Sequence, residues 1–415
     1  MKEMPTTLSA PHRSRGVAAK VAQAPHGAIV MGGDYRGLAL VRSLGRQQVP
    51  VWVINQADQR LAGMSKYARR TLFYRDWEDG GGVAFLLELG RKHNLQGWLL
   101  FPTSDDSVRL LAEHHEQLAE IYEMTVLPWQ ILQWAVDKRL MNKLSDQIGV
   151  DHPKTYYPFC AEELASLELS FPVILKPTRR DNFNQLTAAK AWRADDLETL
   201  VVQYHKACRL LPPEMLMIQE FIPGGGETQF SYAGFWKDGQ PVAFLVARRT
   251  RQFPVDFGRA STFVETVNEP RVAELAVRFL KAIQYSGLVE VEFKQDSRTG
   301  KFNLLDVNPR VWGWYSLCRR AGVDFAHILW QIYQDEPINE IHARTGERWV
   351  RLLPDFLASL KKIQLGQLSV REYVRSLTGP KESAVFAADD PLPGLLEAPL
   401  LFYLFMKRFF RGKGI

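Results

Sequence analysis

The chain has 415 residues, of which 46% are hydrophobic and 24% are charged, and its formal net charge is +6. This composition excludes a disordered chain and provides enough residues for two to four domains. The three cysteines (Cys160, Cys208 and Cys318) lie far apart in the sequence. They therefore argue against a disulfide framework or a cysteine metal site, and they favour a reducing cytoplasm.

Positive charge is concentrated at the two ends of the chain. Residues 1–26 and residues 397–415 each contain four basic residues and one acid, so the body between them is neutral. A neutral body gives no reason to expect a nucleic-acid-binding face. Residues 1–26 lack the apolar segment of a signal peptide and predict a disordered basic N-terminus. No apolar run reaches the length of about 18 residues that spans a bilayer.

The first elements form a β-turn-α-β pattern. The predicted elements are a strand at 28–31, a glycine turn at 32–37, a helix over 38–44, strands at 51–54 and 98–101, and a helix that Ser104 or Asp105 caps. The turn lacks the G-x-G-x-x-G spacing of a dinucleotide-binding loop. We interpret it as a tight strand-to-helix turn, with contact to a ligand as the less favoured alternative.

The middle of the chain alternates helices and strands. The predicted elements are a helix over 131–148, strands at 154–157 and 173–176, a helix over 195–209 capped by Asp195 or Ala194, a strand at 215–222, further strands through 267, and a helix over 271–283. Helices are then expected to dominate to about residue 377.

Two apolar strands at 287–296 and 302–310, joined by a short turn, carry the most informative pattern. Glu292, Asp306 and Asn308 are oxygen ligands, and residues two apart on a strand face the same side. Such ligands suit Mg²⁺, which usually shares its coordination with substrate phosphates. Arg310 would lie beside the metal if the second strand continues that far. An ordinary hairpin with surface acids is the alternative, which the cost of an unpaired acid on a half-buried strand disfavours.

Two lysines are candidates for binding nucleotide phosphates. Lys176 ends a predicted apolar strand, and Lys138 follows Asp137 in a predicted helix. A lysine is a compact positive charge that suits phosphate. Taken alone, each is more simply explained as a side chain that reaches solvent from a strand end or a helix surface.

The strand before the glycine loop at 223–226 offers groups for a purine. Gln219, Glu220 and Ile222 end that strand, where exposed backbone groups can pair with a purine edge, and Glu227 can accept bonds from ribose hydroxyls. A strand followed by a flexible hairpin loop is an equally good interpretation of this segment.

Two further groups are expected near a site. Arg248, Arg249 and Arg251 form a basic run on a strand, for which binding to phosphate or a substrate carboxylate is favoured over a solvated face. Three aromatic residues between 312 and 315 suggest an apolar or sugar-stacking wall, with core packing as an equal alternative.

Taken in chain order, these motifs resemble those of the ATP-grasp superfamily, and most of all its predicted carboxylate–amine ligases, the group that includes D-aspartate ligases. The motifs are Asp137-Lys138, Leu175-Lys176-Pro177, Gln219-Glu220-Phe221-Ile222, Glu227, Val291-Glu292-Phe293 and Leu305-Asp306-Val307-Asn308-Pro309-Arg310. The resemblance covers roughly residues 27–380. It depends on the ordered set, since no single motif suffices.

The resemblance implies an α/β and α+β fold, in which a Rossmann-like pre-ATP-grasp domain precedes a two-lobed ATP-grasp fold that holds ATP between its lobes. The implied ligands are Lys138 and Lys176 for the phosphates, Gln219, Glu220 and Ile222 for adenine, Glu227 for ribose, Glu292, Asp306 and Asn308 for Mg²⁺ (or alternatively Mn²⁺), and Arg310 for an acyl phosphate. Two features depart from the family pattern. Asp306 stands where many members have glutamate, and the loop after Lys176 has no glycine, which leaves Arg179 and Arg180 to supply charge there.

The expected domains are a disordered N-terminus at 1–26, a pre-ATP-grasp domain at 27–129, a small lobe with a linker helix at 130–225, a C-terminal lobe with the metal site at 226–340, and a helical extension with a basic-aromatic tail at 341–415. The expected function is an ATP-dependent carboxylate–amine or amino-acid ligase, with Arg249, Arg251 and Arg310 as catalytic arginines and small-molecule or lipid-linked substrates. The alternatives are another ATP-grasp activity and a non-catalytic nucleotide-binding protein in membrane-associated surface-polymer assembly.

The C-terminal tail has two interpretations. The apolar run 400–406 precedes Lys407, Arg408, Arg411 and Lys413 and is too short to span a bilayer. Packing of the tail on the protein's own core is slightly favoured. Insertion into a lipid interface is the alternative, which would place a cytoplasmic protein at the inner membrane surface.

Overall fold

Three β-sheets follow one another along the chain in a computed structural model, which describes residues 27–56, 59–78, 80–178, 186, 191–254, 260–338 and 341–410. The predictions for residues 1–26, for Arg179 and Arg180, and for Arg411 and Lys413 lie outside these residues. The mixed α/β and α+β architecture that the sequence predicts is confirmed.

The first sheet is parallel, with the strand order β3-β2-β1-β4-β5. Its strands are β1 (Ala28–Met31), β2 (Val51–Asn55), β3 (Ala68–Phe73), β4 (Leu99–Pro102) and β5 (Glu123–Met124), and its helices are α1 (Tyr35–Arg46), α2 (Gly82–His93), α3 (Asp105–Glu113) and α4 (His115–Ala119). β1 and β4 are wholly buried, as expected of parallel strands covered on both faces. The edge strand β3, with mostly polar residues, escaped prediction because it lacks an apolar run.

The glycine turn after β1 is tight because it lies against the end of β4. Gly32 has φ +147°, and a Cβ atom there would lie 2.0 Å from Thr103 Oγ1. Asp34 then caps α1 by accepting from the backbone of Arg36 at 2.9 Å. Ser104 caps α3 in a reciprocal arrangement with Ser107, as one of the two predicted caps. Two helices with capped N-termini therefore begin at the carboxyl edge of this sheet.

A pair of helices and a four-stranded antiparallel sheet come next. They are α5 (Trp129–Val136), α6 (Lys138–Ile148), β6 (Thr155–Tyr156), β7 (Val173–Pro177), β8 (Trp192–Ala194), α7 (Leu197–Cys208) and β9 (Leu216–Glu220), with the strand order β6-β9-β7-β8. The prediction of one helix over 131–148 is wrong. Asp137 is extended and caps α6 with its side chain, although the apolar periodicity continues across the break. The cap of α7 is Asp196, one residue later than predicted.

The third sheet has the strand order β14-β13-β10-β11-β12-β15-β16. Its strands are β10 (Gln229–Lys237), β11 (Gln240–Phe253), β12 (Ala260–Val267), β13 (Gly287–Gln295), β14 (Phe302–Asn308), β15 (Arg348–Val350) and β16 (Glu382–Ser383). The helices of this part are α8 (Pro270–Ala282), α9 (Ser316–Arg320), α10 (Phe325–Tyr333), α11 (Leu352–Gln364), α12 (Val370–Ser376) and α13 (Leu392–Phe410). Because β15 and β16 lie past residue 340, the sheet exceeds the predicted C-terminal lobe, and the domain limits remain a prediction.

Each face of the third sheet packs against a different layer. On one face, Tyr232 and Val291 pack against Phe279 of α8. On the other, Ala233 and Leu245 belong to a core shared with α1, α10 and the aromatic segment after β14. In that segment Trp312, Trp314 and Tyr315 are all buried. They are therefore core residues, and the interpretation of these aromatics as a substrate wall is wrong.

The C-terminal helix α13 is partly packed and partly exposed. Leu400 packs against the core, whereas Leu395, Phe402 and Tyr403 are 65%, 66% and 59% exposed. Among the described residues, no helix is long and apolar enough to cross a membrane. The packed residue fits the interpretation that the tail docks on the protein's own core. The exposed residues fit the interpretation that it enters a lipid interface.

Candidate active site

The candidate active site lies on one face of the third sheet, where β13 and β14 form a hairpin. Glu292 is directly opposite Asp306, and Glu290 is directly opposite Asn308. Opposite residues in an antiparallel pair share a face, so these four side chains form one polar patch. The neighbouring strand β10 places Ser231 opposite Glu292 on the same face.

Hydrogen bonds connect the members of this patch. Asn308 Nδ2 donates to Glu292 Oε1 at 3.1 Å and to Glu290 Oε2 at 3.2 Å, while its Oδ1 accepts from Arg310 Nη2 at 3.1 Å. Arg249 Nη2 lies 3.4 Å from Glu292 Oε2. The amide of Asn308 thus lies between two acids and an arginine, and it offers its oxygen to the arginine.

Glu290 is a member of the patch that the sequence reasoning missed. Its side chain is buried and accepts from Trp314 Nε1 at 2.8 Å. Burial raises the pKa of Glu290 to about 7, and the negative charge of Glu292 acts in the same direction. The signal was present, since Glu290 precedes Glu292 by two residues on the same strand.

Two more basic side chains border the patch, one at the start of α6 and one just after β14. Lys138 Nζ at the start of α6 lies 2.6 Å from Asp306 Oδ1. Arg310 Nε lies 2.5 Å from Asp105 Oδ1 in the first turn of α3. The expectation that β14 continues to Arg310 is wrong, because the strand ends at Asn308 and Pro309 has no N–H for the ladder. Arg310 nevertheless lies beside Asn308 and links the hairpin to the first sheet.

The oxygen donors fit a hard divalent cation only in part. Glu292 and Asp306 are opposite carboxylates, which suit a cation that takes its remaining ligands from phosphate oxygens and water. Among the described residues, no three His, Cys, Asp or Glu side chains converge as a metal site. Asn308 turns its NH₂ group toward the glutamates, so its predicted role as a ligand needs a different orientation of the amide.

Five of the six predicted nucleotide-binding residues line one cavity of about 710 Å³ between the second and third sheets. Those that line it are Lys176, Gln219, Glu220, Ile222 and Glu227. Three of these side chains are held within the protein. Gln219 Nε2 donates to Thr155 at 2.9 Å, Glu220 Oε1 accepts from Arg298 at 2.8 Å, and Glu227 Oε1 accepts from the Gly225 N–H at 2.8 Å.

A second cavity of about 420 Å³ adjoins the first. Its lining includes Lys138, Glu292, Asp306 and Asn308, together with Asp105 of α3. The two cavities share Lys176, Gln229 and Leu305. The fold therefore brings two predicted sets of residues, one around the glycine loop and one on the hairpin, to the two sides of Lys176.

Comparison with known proteins shows what this chain is similar to. A family model described as "ATP-grasp in the biosynthetic pathway with Ter operon" matches residues 214–352, which include the glycine loop and the whole hairpin. The L-amino acid ligase of Bacillus licheniformis has a similar structure, with a TM-score of 0.60 at 15% identity over 77% of this chain and 78% of that one. The chain therefore has an ATP-grasp fold, and its central part matches an ATP-grasp family model.

Further similarities extend across the superfamily. Biotin carboxylase of Campylobacter jejuni, solved as a complex with β,γ-ATP, gives a TM-score of 0.61 at 13% identity and covers 80% of this chain and 75% of that one. The D-aspartate ligase of Enterococcus faecium is 21% identical over 229 residues, which are 51% of this chain and 53% of that protein. The chain thus spans about half the length of the curated relatives it matches.

Within the ATP-grasp fold, the two predicted catalytic arginines of β11 occupy different environments. Arg249 is buried on the site face, where its Nη1 donates to Gln229 at 2.8 Å. A bulge separates it from Arg251, so that Arg249 pairs with Val264 and Arg251 with the next residue, Phe263. Arg251 lines the larger cavity, as Gln229 does.

Arg251 also forms a buried ion pair. Its Nε and Nη2 atoms donate to the two oxygens of Asp355 in α11 at 2.9 and 2.8 Å, and its guanidinium lies over the Phe263 ring. Its catalytic assignment remains a prediction, but the structure does not bring it to the carboxylate patch. The same helix supplies Lys362 to the larger cavity, and no signal near the motifs could have placed that residue there.

Proposed function

We propose that this ATP-grasp chain is an ATP-dependent carboxylate–amine ligase, which forms an amide and releases ADP and phosphate. One observation carries the proposal: Glu292 and Asp306 lie opposite each other beside Lys138, in the smaller cavity. This cavity shares Lys176 with the larger one, which has room for a nucleotide. The acids would hold a cation, the lysines would hold the phosphates, and the larger cavity would hold the nucleoside.

The proposed reaction has two steps and requires no covalent bond to the protein. A substrate carboxylate oxygen attacks the γ-phosphorus of ATP, the bond to ADP breaks, and an acyl phosphate forms. An amine then attacks the acyl carbon, phosphate leaves, and the amine loses a proton. The protein positions the reactants and neutralises charge.

Each group has a role in this reaction. Glu292 and Asp306 would hold Mg²⁺, or Mn²⁺ in its place, which neutralises charge on the phosphates when bound. Lys138 and Lys176 would contact the phosphates, Glu227 the ribose, and the segment from Gln219 to Ile222 the adenine. Arg310 and Arg249, which border the patch from two sides, would steady the carboxylate and the acyl phosphate.

The proposed substrates are amino acids or related small acids and amines. Support comes from the two amino-acid ligases among the similar proteins. We include substrates carried on a lipid at the cytoplasmic face of the inner membrane, because the exposed apolar residues of α13 favour such a location.

The test measures ADP release from Mg·ATP by purified protein. Single amino acids and uronic acids would be supplied as carboxylates, each with and without a second amino acid or ammonia as the amine. We expect ADP and amide in equal amounts only when carboxylate and amine are both present. Nucleotide binding without turnover in every mixture would instead support a non-catalytic binding protein.

A second ATP-grasp activity merits one arm of the same screen. The fold of biotin carboxylase is equally close by TM-score. Bicarbonate would then take the place of the organic carboxylate. ADP release that depends on bicarbonate and an acceptor, but not on an organic acid, would favour that activity over the ligase.

A further inference from the structure

The outer face of α11 and α12, here called the α11–α12 surface, is apolar but faces solvent. Its apolar members are exposed by between 39% and 62%, and they are Leu352, Leu353, Phe356, Leu357 and Leu360 on α11, and Val370 and Val374 on α12. Exposed apolar patches of this extent usually mark a binding surface for a protein or a membrane.

The exposed apolar residues of α11 lie on one side of the helix. The five apolar positions of α11 repeat at intervals of three and four residues, so they form one stripe. The opposite side of the helix carries Asp355, Ala358 and Ser359, which are buried, and α11 lies against β11 and β12. The helix is thus packed by its inner side, and the apolar stripe remains on its outer side.

Exposed basic side chains outnumber exposed acids on these two helices. Lys361, Arg371 and Arg375 are exposed beside the apolar residues. Residues 352–381 contain two acids, Asp355 and Glu372. Asp355 is buried against Arg251, and Glu372 accepts from Ser369 in the cap of α12. The surface is therefore both apolar and positively charged.

We propose that the α11–α12 surface binds the interface of an anionic lipid bilayer. Leucine, phenylalanine and valine side chains would enter the acyl boundary while lysine and arginine contact acidic head groups. A second copy of this chain fits less well, because two-fold pairing would bring the same cations of both copies together. No described helix spans a bilayer, so the contact is peripheral.

The surface continues toward the C-terminal helix. Arg351 at the start of α11 lies 3.4 Å from Glu397 of α13, whose Leu395 and Phe402 are also exposed. On its inner side, the segment from α11 to α12 lines the larger cavity through Lys362 and Gln367. If the proposed ligase function holds, the bilayer would lie behind one wall of that cavity, close to a substrate carried by lipid.

Vesicle flotation with the full-length protein tests the proposal without any ligase reaction. The probes are vesicles of phosphatidylcholine with phosphatidylglycerol, and vesicles of phosphatidylcholine alone. The test variant is Phe356→Asp/Leu357→Asp. The matched control is Phe159→Asp, since Phe159 is 62% exposed and lies outside the surface. Circular dichroism and nucleotide binding check that each variant is folded.

We expect the unchanged protein and the control to float with anionic vesicles at low salt and to dissociate at high salt. The double variant should bind about tenfold less tightly. The proposal is overturned if the unchanged protein stays unbound, or if the double variant floats equally well. It is also overturned if light scattering shows a dimer that only the double variant dissociates, since a second copy would then cover the surface. Each outcome is independent of ADP formation.

Discussion

Lys138 Nζ lies 2.6 Å from Asp306 Oδ1, although 168 residues separate them in the chain. The lysine begins α6 because Asp137 breaks the preceding helix and caps the next one. This ion pair joins the helix to the hairpin that carries the acids. A bound cation would take the place of Lys138 beside Asp306, and a bound phosphate would take the place of Asp306 beside Lys138. Ligand binding would therefore separate the two side chains.

The carboxylate of Glu292 should be essential for chemistry. We expect Glu292→Gln to lower ADP formation about a hundredfold or more, because one preorganised charge is lost beside the phosphates. Asn308→Ala should also lower it, because its amide lies between Glu290 and Glu292. Steady-state ADP release measures both effects. Glu214→Gln, an exposed acid outside the site, is the control, and full activity in both site variants would refute the assignment.

Lys176 should dominate nucleotide affinity. We expect Lys176→Ala to weaken ATP binding about tenfold, because a charge-assisted contact to phosphate is lost. Lys143→Ala, an exposed lysine on α6, should bind as the unchanged protein does. Titration calorimetry compares the two Kd values, and equal values would contradict the placement of phosphates between the cavities.

The buried pair of Arg251 and Asp355 should matter for stability more than for catalysis. Arg251→Met alone leaves a buried carboxylate without its partner, so the free energy of unfolding should fall by about 3–5 kcal/mol. Arg251→Met/Asp355→Leu should recover most of this loss. Urea unfolding measures both variants. A double variant that is stable but makes no ADP would contradict this prediction and would support the assignment of Arg251 as catalytic.

Acid should weaken the attachment of the segment before α13. Arg46 donates to both oxygens of Asp389, each at 2.8 Å, and this guanidinium chiefly holds the pKa of Asp389 well below its ordinary value of 3.8. The folded state therefore binds the proton less tightly than the unfolded state. The stabilisation is present above about pH 4 and is lost as the pH falls below that value.

Asp389→Asn tests this pH dependence. The variant should have a lower urea midpoint than the unchanged protein at about pH 7, and the difference should shrink at about pH 3. A difference that stays constant across this range would show that the charge of Asp389 does not stabilise the fold.

The hairpin could be predicted because its information is local. Acids on an otherwise apolar strand, with a residue period of two, define both the strands and their polar face. The break at Asp137 could not be predicted from periodicity, because apolar residues recur in register on both sides of it. Its capping side chain was the relevant signal.

Other features depend on contacts that the sequence order does not reveal. The environment of Arg251 follows from a bulge, and the bulge is defined only by pairing with β12. Lys362 reaches the larger cavity because α11 packs across β11, more than a hundred residues after the strand pair that carries the glycine loop. Glu290 differs, since the two-residue spacing that identified Asp306 and Asn308 would also have identified it.

The wall of three residues shared by the two cavities bears on inhibitor design. Lys176, Gln229 and Leu305 border both spaces, so the two cavities adjoin at these side chains. A single compound with a purine-like head in the larger cavity and an acidic tail beside Lys138 would cross that border with a short linker. Such a two-headed compound would gain from both ends at once, since the second end binds as an intramolecular step.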